Sequence, residues 1–192
     1  MRTRASKLFR PLAGLLQALA VLVSGLEIAP GAEPRQAPEY EVKAAWLLNL
    51  IRFTDWPALA FSSPDAPFVV GVVGKDPFGP DLEKIVSGKT MNGRSIVVKR
   101  LSADQDLKQC HLLFVAASEK RRERDLMDKL KALPILTVGE REDFLDHGGA
   151  VQFHLVNDSV RFSVNLFPAR STRLRINANV LRLATSVRGK YD

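Results

Sequence analysis

Phe68-Val69-Val70-Gly71-Val72-Val73-Gly74-Lys75-Asp76-Pro77 decides the fold, because it passes from a β-branched strand through glycine into a helix start. Phe68 to Val73 predicts a strand. A short helix is expected from Pro77, with Asp76 as its cap and Ser87-Gly88 as its stop. The same alternation continues outward. Upstream, Glu39 to Phe53 predicts a helix with Pro38 at its start and acids in its first turn, ended by Trp56-Pro57 because proline cannot continue the hydrogen-bond ladder. Val42, Ala45, Trp46 and Asn49 form one stripe, which Leu47, Leu50 and Ile51 extend. Such a helix is either largely buried or covered by a partner.

Downstream, Ser95 to Lys99 predicts a second strand and His111 to Ala116 a third, apolar enough to be central in a sheet. Ser118 to Ala132 predicts a charged helix with Leu126, Leu130 and Leu133 inward, and Pro134 to Val138 a fourth strand. Val151, Phe153 and Leu155, the turn Asn157-Asp158, and Val160, Phe162, Val164 and Leu166 then spell an antiparallel hairpin. A closing helix capped by Asn177 is expected from Ala178 to Val187. The expected fold is a single α/β domain: a mixed sheet of about six strands flanked by helices, with a C-terminal hairpin and closing helix. Trp46, Phe53, Trp56 and Phe162 are its expected core aromatics.

The start of the chain addresses the protein. Arg2, Arg4, Lys7 and Arg10 precede an apolar run from Leu12 to Leu26, the pattern of a secretory signal peptide. The run is about 15 residues, against the roughly 20 of a transmembrane anchor. Cleavage near Val23-Ser24-Gly25 or near Gly31-Ala32 fits equally, and with no cysteine at the junction lipidation there is excluded. The division expected is 1–32 as signal peptide and leader, and 33–192 as the folded domain. Beyond residue 32, 24 basic side chains face 20 acidic ones, so the net charge falls from +7 to +4. A nucleic-acid partner loses its argument from charge. The remaining excess gathers at Arg170, Arg173, Arg175, Arg182, Arg188 and Lys190, with no acid between them. That stretch is either a solvated face or a surface for acidic protein or anionic headgroups, with Arg173, Arg175 and Arg182 as the partner-binding candidates. Cys110 is the chain's one cysteine, so no internal disulfide forms, and its place before an apolar strand predicts a buried, inert thiol.

Few reaction chemistries fit. A phosphate loop needs four residues between its glycines and Ser or Thr after Lys. Here two separate Gly71 from Gly74, and Asp76 follows Lys75. His111, His147 and His154 lack the spacing of a metal site, and His147 and His154 read as surface residues. No serine stands in a nucleophile elbow. Glu140, Glu142, Asp143 and Asp146 read as a solvated helix face. No catalytic residue, cofactor or metal is assigned, although catalytic groups can converge from distant positions.

Glu39-Tyr40-Glu41-Val42-Lys43-Ala44-Ala45-Trp46, Gly74-Lys75-Asp76-Pro77-Phe78-Gly79, Asn92-Gly93-Arg94, Cys110-His111-Leu112-Leu113-Phe114, Leu136-Thr137-Val138-Gly139, Gly148-Gly149 and Val160-Arg161-Phe162-Ser163-Val164-Asn165-Leu166 resemble the YfiR/HmsC-like periplasmic proteins. The resemblance implies a soluble periplasmic regulator that represses an inner-membrane diguanylate cyclase, or a related sensor, by binding its periplasmic domain. It also implies sequestration by an outer-membrane lipoprotein of the OmpA type, and control of cyclic di-GMP and biofilm. Homodimerisation stays open. The rival readings are an unrecognised periplasmic enzyme and a basic protein on an anionic membrane surface. Regulatory members carry a cysteine where this chain has Gly71, bridged to the counterpart of Cys110, and that link is missing here.

Overall fold

The alternation of apolar strands with short helices produces a mixed α/β domain, seen in a computed structural model that describes residues 36–189. The export segment read over 1–32 and Lys190 lie outside those residues. The chain runs through α1 (Gln36–Arg52), β1 (Thr54–Asp55), β2 (Phe68–Val73), α2 (Asp81–Val86), β3 (Thr90–Met91) and β4 (Arg94–Leu101). It continues through β5 (Leu112–Val115), α3 (Glu123–Leu130), β6 (Leu136–Gly139), β7 (Val151–Val156) and β8 (Ser159–Asn165). Then come α4 (Leu166–Ser171), β9 (Arg175–Ile176), α5 (Ala178–Leu181) and β10 (Ser186–Arg188).

Eight strands form one sheet in the order β10-β8-β7-β6-β5-β2-β4-β3, while β1 and β9 pair separately. The centre is parallel: β4, β2, β5, β6 and β7 run the same way. Leaving β2, the chain builds β4 on one side and then returns to β5 on the other. The carboxyl ends of β2 and β5 therefore flank a topological switch point, where open α/β sheets place their ligand crevices. Strand periodicity sorts the core. Phe68, Val70, Val72, Leu112 and Phe114 face α1 and α2, whereas Val69, Val73, Leu113 and Val115 face α3.

Several expectations are corrected. Asp76 caps no helix at Pro77; its Oδ1 accepts from Phe78 N at 2.8 Å in a tight turn, and α2 waits until Asp81. Gly79, at φ 53°, and Pro80 stand in the way. The helix expected from Ser118 is split into a 3-10 turn at Ala117–Glu119 and α3. Lys120, Arg121 and Arg122 are exposed, and the apolar face that packs the helix begins only at Leu126. The closing helix is a single turn. Asn177 does cap it, accepting from Asn179 N at 2.8 Å, but Ser186–Arg188 pair in parallel with β8 and cover its otherwise open edge.

Phe53 is 41% exposed rather than buried, because the chain turns extended after Arg52 and the next residue, Thr54, takes the inward position. Phe162 is buried; Trp46 lies half-buried against it, and Trp56 half-buried against Phe68, each pair with ring centroids 4.8 Å apart. On α1 the buried face is Ala44, Leu47, Leu48, Leu50 and Ile51, and Val42 is exposed. Residues 140 to 147 form turns around a fully buried Phe144, not a solvated helix face.

Two physical tests follow from this packing. A Cβ at Gly149 would stand 2.2 Å from the Phe144 ring, so Gly149→Ala is expected to lower stability by about 1–3 kcal/mol in urea denaturation. An unchanged midpoint would contradict that contact. His111 packs against Phe61 and Phe68, its ring centroid 4.4 and 4.8 Å from theirs, and its Nδ1 accepts from Val69 N at 3.0 Å. Burial pushes its pKa below the ordinary imidazole value. The unfolded chain then binds the proton more readily, so His111 withdraws stability as pH falls through about 6.5. NMR titration is expected to give His111 a midpoint below that value, and an unshifted midpoint would refute the burial.

Candidate functional site

At the carboxyl end of β6, Glu140 receives two groups from the first turns of α1. Lys43 is 3% exposed, its Nζ 2.7 Å from Glu140 Oε2 and also paired with Glu39 one turn earlier. Tyr40 OH donates to the same carboxylate at 3.1 Å. Burial first, and then the Glu140 charge, hold the phenol well above its ordinary pKa. Tyr40 also meets Phe78 edge-on at 5.5 Å. A groove of about 480 Å³ opens beside them, lined by Tyr40, Lys75, Asp76, Phe78 and Asp81 among others. Its acids are already neutralised, Asp76 by Arg100 and Asp81 by Lys84, both at 2.8 Å.

A second groove lies toward the C-terminus, about 540 Å³ in volume and lined by Leu166, Leu181, Arg182, Ala184 and Val187 among others. Phe167 and Leu183, neighbours of lining residues in the chain, are 63% and 60% exposed. Of the three arginines expected to bind a partner, only Arg182 lines this groove, where it bonds Asn179. Arg173 ends α4 in the left-handed region at φ 63°: its N–H donates to Arg170 O at 3.1 Å and that of Leu174 to Ala169 O at 2.9 Å. This is the helix-ending turn that normally uses glycine. Arg175 sits in β9 opposite Asp55. All three are exposed, and the side chains of Arg173 and Arg175 make no hydrogen bond or ion pair among the described residues. The groove and Phe167 were not anticipated, because short elements meeting across the chain leave no periodic signal. Among the described residues no helix is long and apolar enough to cross a membrane.

Cys110 ends a 3-10 turn just before β5, and its thiol is free and buried. Desolvation raises its pKa to about 11, so it is a poor nucleophile.

Comparison with known proteins adds the lineage. A solved structure described as a conserved domain protein from Vibrio cholerae O1 biovar El Tor strain N16961 matches with a TM-score of 0.52 at 9% identity. The match covers 78% of this chain and 60% of that one, and at this identity it speaks for the fold alone. No curated protein matches. The profile of the YfiR/HmsC-like family matches residues 40–185. The chain belongs to that family. YfiR/HmsC-like proteins are known as periplasmic regulators of diguanylate cyclases rather than as enzymes. The match takes in both the Tyr40 groove and the helical wall of the C-terminal groove, and stops one residue short of β10.

The cysteine that the resemblance leads one to expect at Gly71 can be tested against the geometry. A Cβ at Gly71 would lie 2.7 Å from Cys110 Sγ, and equally close to a Leu113 methyl that must give way. Gly71→Cys is therefore expected to form a bridge to Cys110 in air-saturated buffer without reductant, dissolved oxygen taking the two electrons, read as loss of both free thiols in the unfolded protein. Persistence of two thiols would refute the juxtaposition.

Proposed function

We propose that the mature protein is a periplasmic binding protein that holds the periplasmic sensory domain of an inner-membrane diguanylate cyclase, or of a related membrane sensor, in its inactive state. It does so by binding that state more tightly, since a binder shifts a receptor's population only through its differential affinity for the two states. An OmpA-type outer-membrane lipoprotein is the proposed sequestering partner. Family membership supports the reading, and the observation that carries it to a surface is the C-terminal groove. Arg182 lines it and exposed Phe167 and Leu183 adjoin its lining residues in the chain, while Arg173, exposed at the end of α4, lies outside the lining; aromatic and arginine side chains are the ones that dominate protein interfaces. Their charge fits an acidic patch on the sensory domain.

Arg173→Gly suits the test, because glycine takes the left-handed turn without strain and only the guanidinium is lost. Arg182→Glu reverses a groove charge. In binding assays with the sensory domain encoded beside this gene, the double variant is expected to associate at least about tenfold more slowly at low salt. The difference should shrink at high salt. Cells carrying it are expected to show raised cyclic di-GMP and surface attachment. Unchanged association together with unchanged signalling would contradict the proposal.

A further inference from the structure

We propose that His111 is a proton-operated latch: taking up a proton releases the segment 56–67 that covers it and loosens the β1–β9 pair from which α5 starts. The ring is placed where it serves only while neutral. His111 is 4% exposed, its N donates to Val69 O at 2.9 Å, and Val69 N donates back to Nδ1 at 3.0 Å. Nδ1 is therefore an acceptor, and the ring carries its one proton on Nε2. A second proton, on Nδ1, would point at the Val69 N–H, two donors with no acceptor between them. Around His111, the segment 56–67 brings Trp56 and Phe61, β2 brings Phe68, and β4 brings Arg94, 4.0 Å from the Phe61 ring centroid. Burial outweighs the pull of the Ala60 carbonyl, and the Arg94 charge adds to it, so the folded ring resists a second proton. Asp65, the acid of that segment, is exposed, and neighbouring Cys110 keeps its thiol proton.

The segment over the ring is the part that yields. Phe68 belongs to the buried strand β2, whereas 56–67 has only a 3-10 turn at Ala58–Ala60 and is held by side chains. Trp56 Nε1 donates to His111 O at 3.1 Å, and Arg94 Nη1 to Ser63 O and Ala66 O at 3.0 and 2.7 Å. Such a segment opens at a lower free energy than the strands beneath it. Trp56 follows β1 directly. In β1, Thr54 pairs with Ile176 and Asp55 with Arg175, and Asn177 N donates to Phe53 O at 2.8 Å. Asn177 also caps α5, whose Leu181 lines the C-terminal groove. Release at His111 thus reaches the support of that groove.

The test follows Trp56 in Trp46→Phe protein, where it is the one tryptophan. As pH falls from ~7.5 to ~5, its emission is expected to shift to the red with a midpoint below about 6.5, while far-ultraviolet dichroism holds. Over the same range, amides in 54–56, 61–66 and 175–177 should exchange at least about tenfold faster once the intrinsic pH dependence is removed, with β2 and β6 unchanged. His111→Asn does not titrate, and its side-chain oxygen can still accept from Val69 N, so it should abolish both responses. Phe61→Leu thins the cover and should move the midpoint up toward the ordinary imidazole value. A fluorescence shift that survives His111→Asn, or one that comes only with global unfolding, would overturn the proposal. So would release of 61–66 without faster exchange at 175–177, since the latch would then end at its own segment.

Discussion

Lys43 is the constraint around which the rest is arranged. An ammonium that is 3% exposed must find opposite charge, because an unpaired buried ion costs more than most contacts return. Glu39 lies on its own helix, but Glu140 lies 97 residues away at the end of β6. Their pairing pins the N-terminal half of α1 over the carboxyl end of the parallel strands. Aromatic packing holds the other half, through Trp46 on Phe162 and, just past the helix, Trp56 on Phe68. Fixed at both ends, α1 presents Tyr40 beside the switch point, and the Tyr40 groove follows from that placement.

The segment that supplies Glu140 needs its own support. Phe144 fills the space over Gly139 and Gly149, where any side chain would strike its ring, so these two glycines are required by close approach. Glu123, Arg141, Asp143 and His147 tie the same turns to α3. The polar clamp on α1 and the ionic cluster under α3 thus meet in one short stretch, residues 140 to 147. That stretch therefore makes polar contacts with elements on both faces of the sheet.

What could be read in the sequence follows the range of the interactions. β2 was legible to the residue, because β-branched side chains between proline and glycine specify a strand locally. The hairpin was legible too, save that Leu166, expected to end its second strand, opens α4 after the cap Asn165; its Asn157 and Asp158 take φ values of 49° and 58° as a tight turn requires. The family was legible from motifs spread along the chain. Hidden were β10, which exists because β8 needs an edge partner, and the short pairing of β1 with β9. Of the proposed partner-binding arginines, sequence spoke for charge and could not say that only Arg182 lines the groove. The Glu123 and His147 contact was hidden too: 24 residues apart, they meet only because a crossover helix packs on turns from another strand.

A regulator that works by binding has its function in a surface, and here the account names one: α4, the turn at Arg173, α5 and β10, with Phe167 and Leu183 exposed upon it. The most direct measurement is amide hydrogen exchange of the protein, alone and mixed with the periplasmic domain of its proposed membrane-sensor partner. The account predicts new protection over residues 166–189, with the buried strands β2 and β5 unchanged. Protection confined to the Tyr40 groove or the β3 edge, with residues 166–189 exchanging as in the free protein, would contradict it.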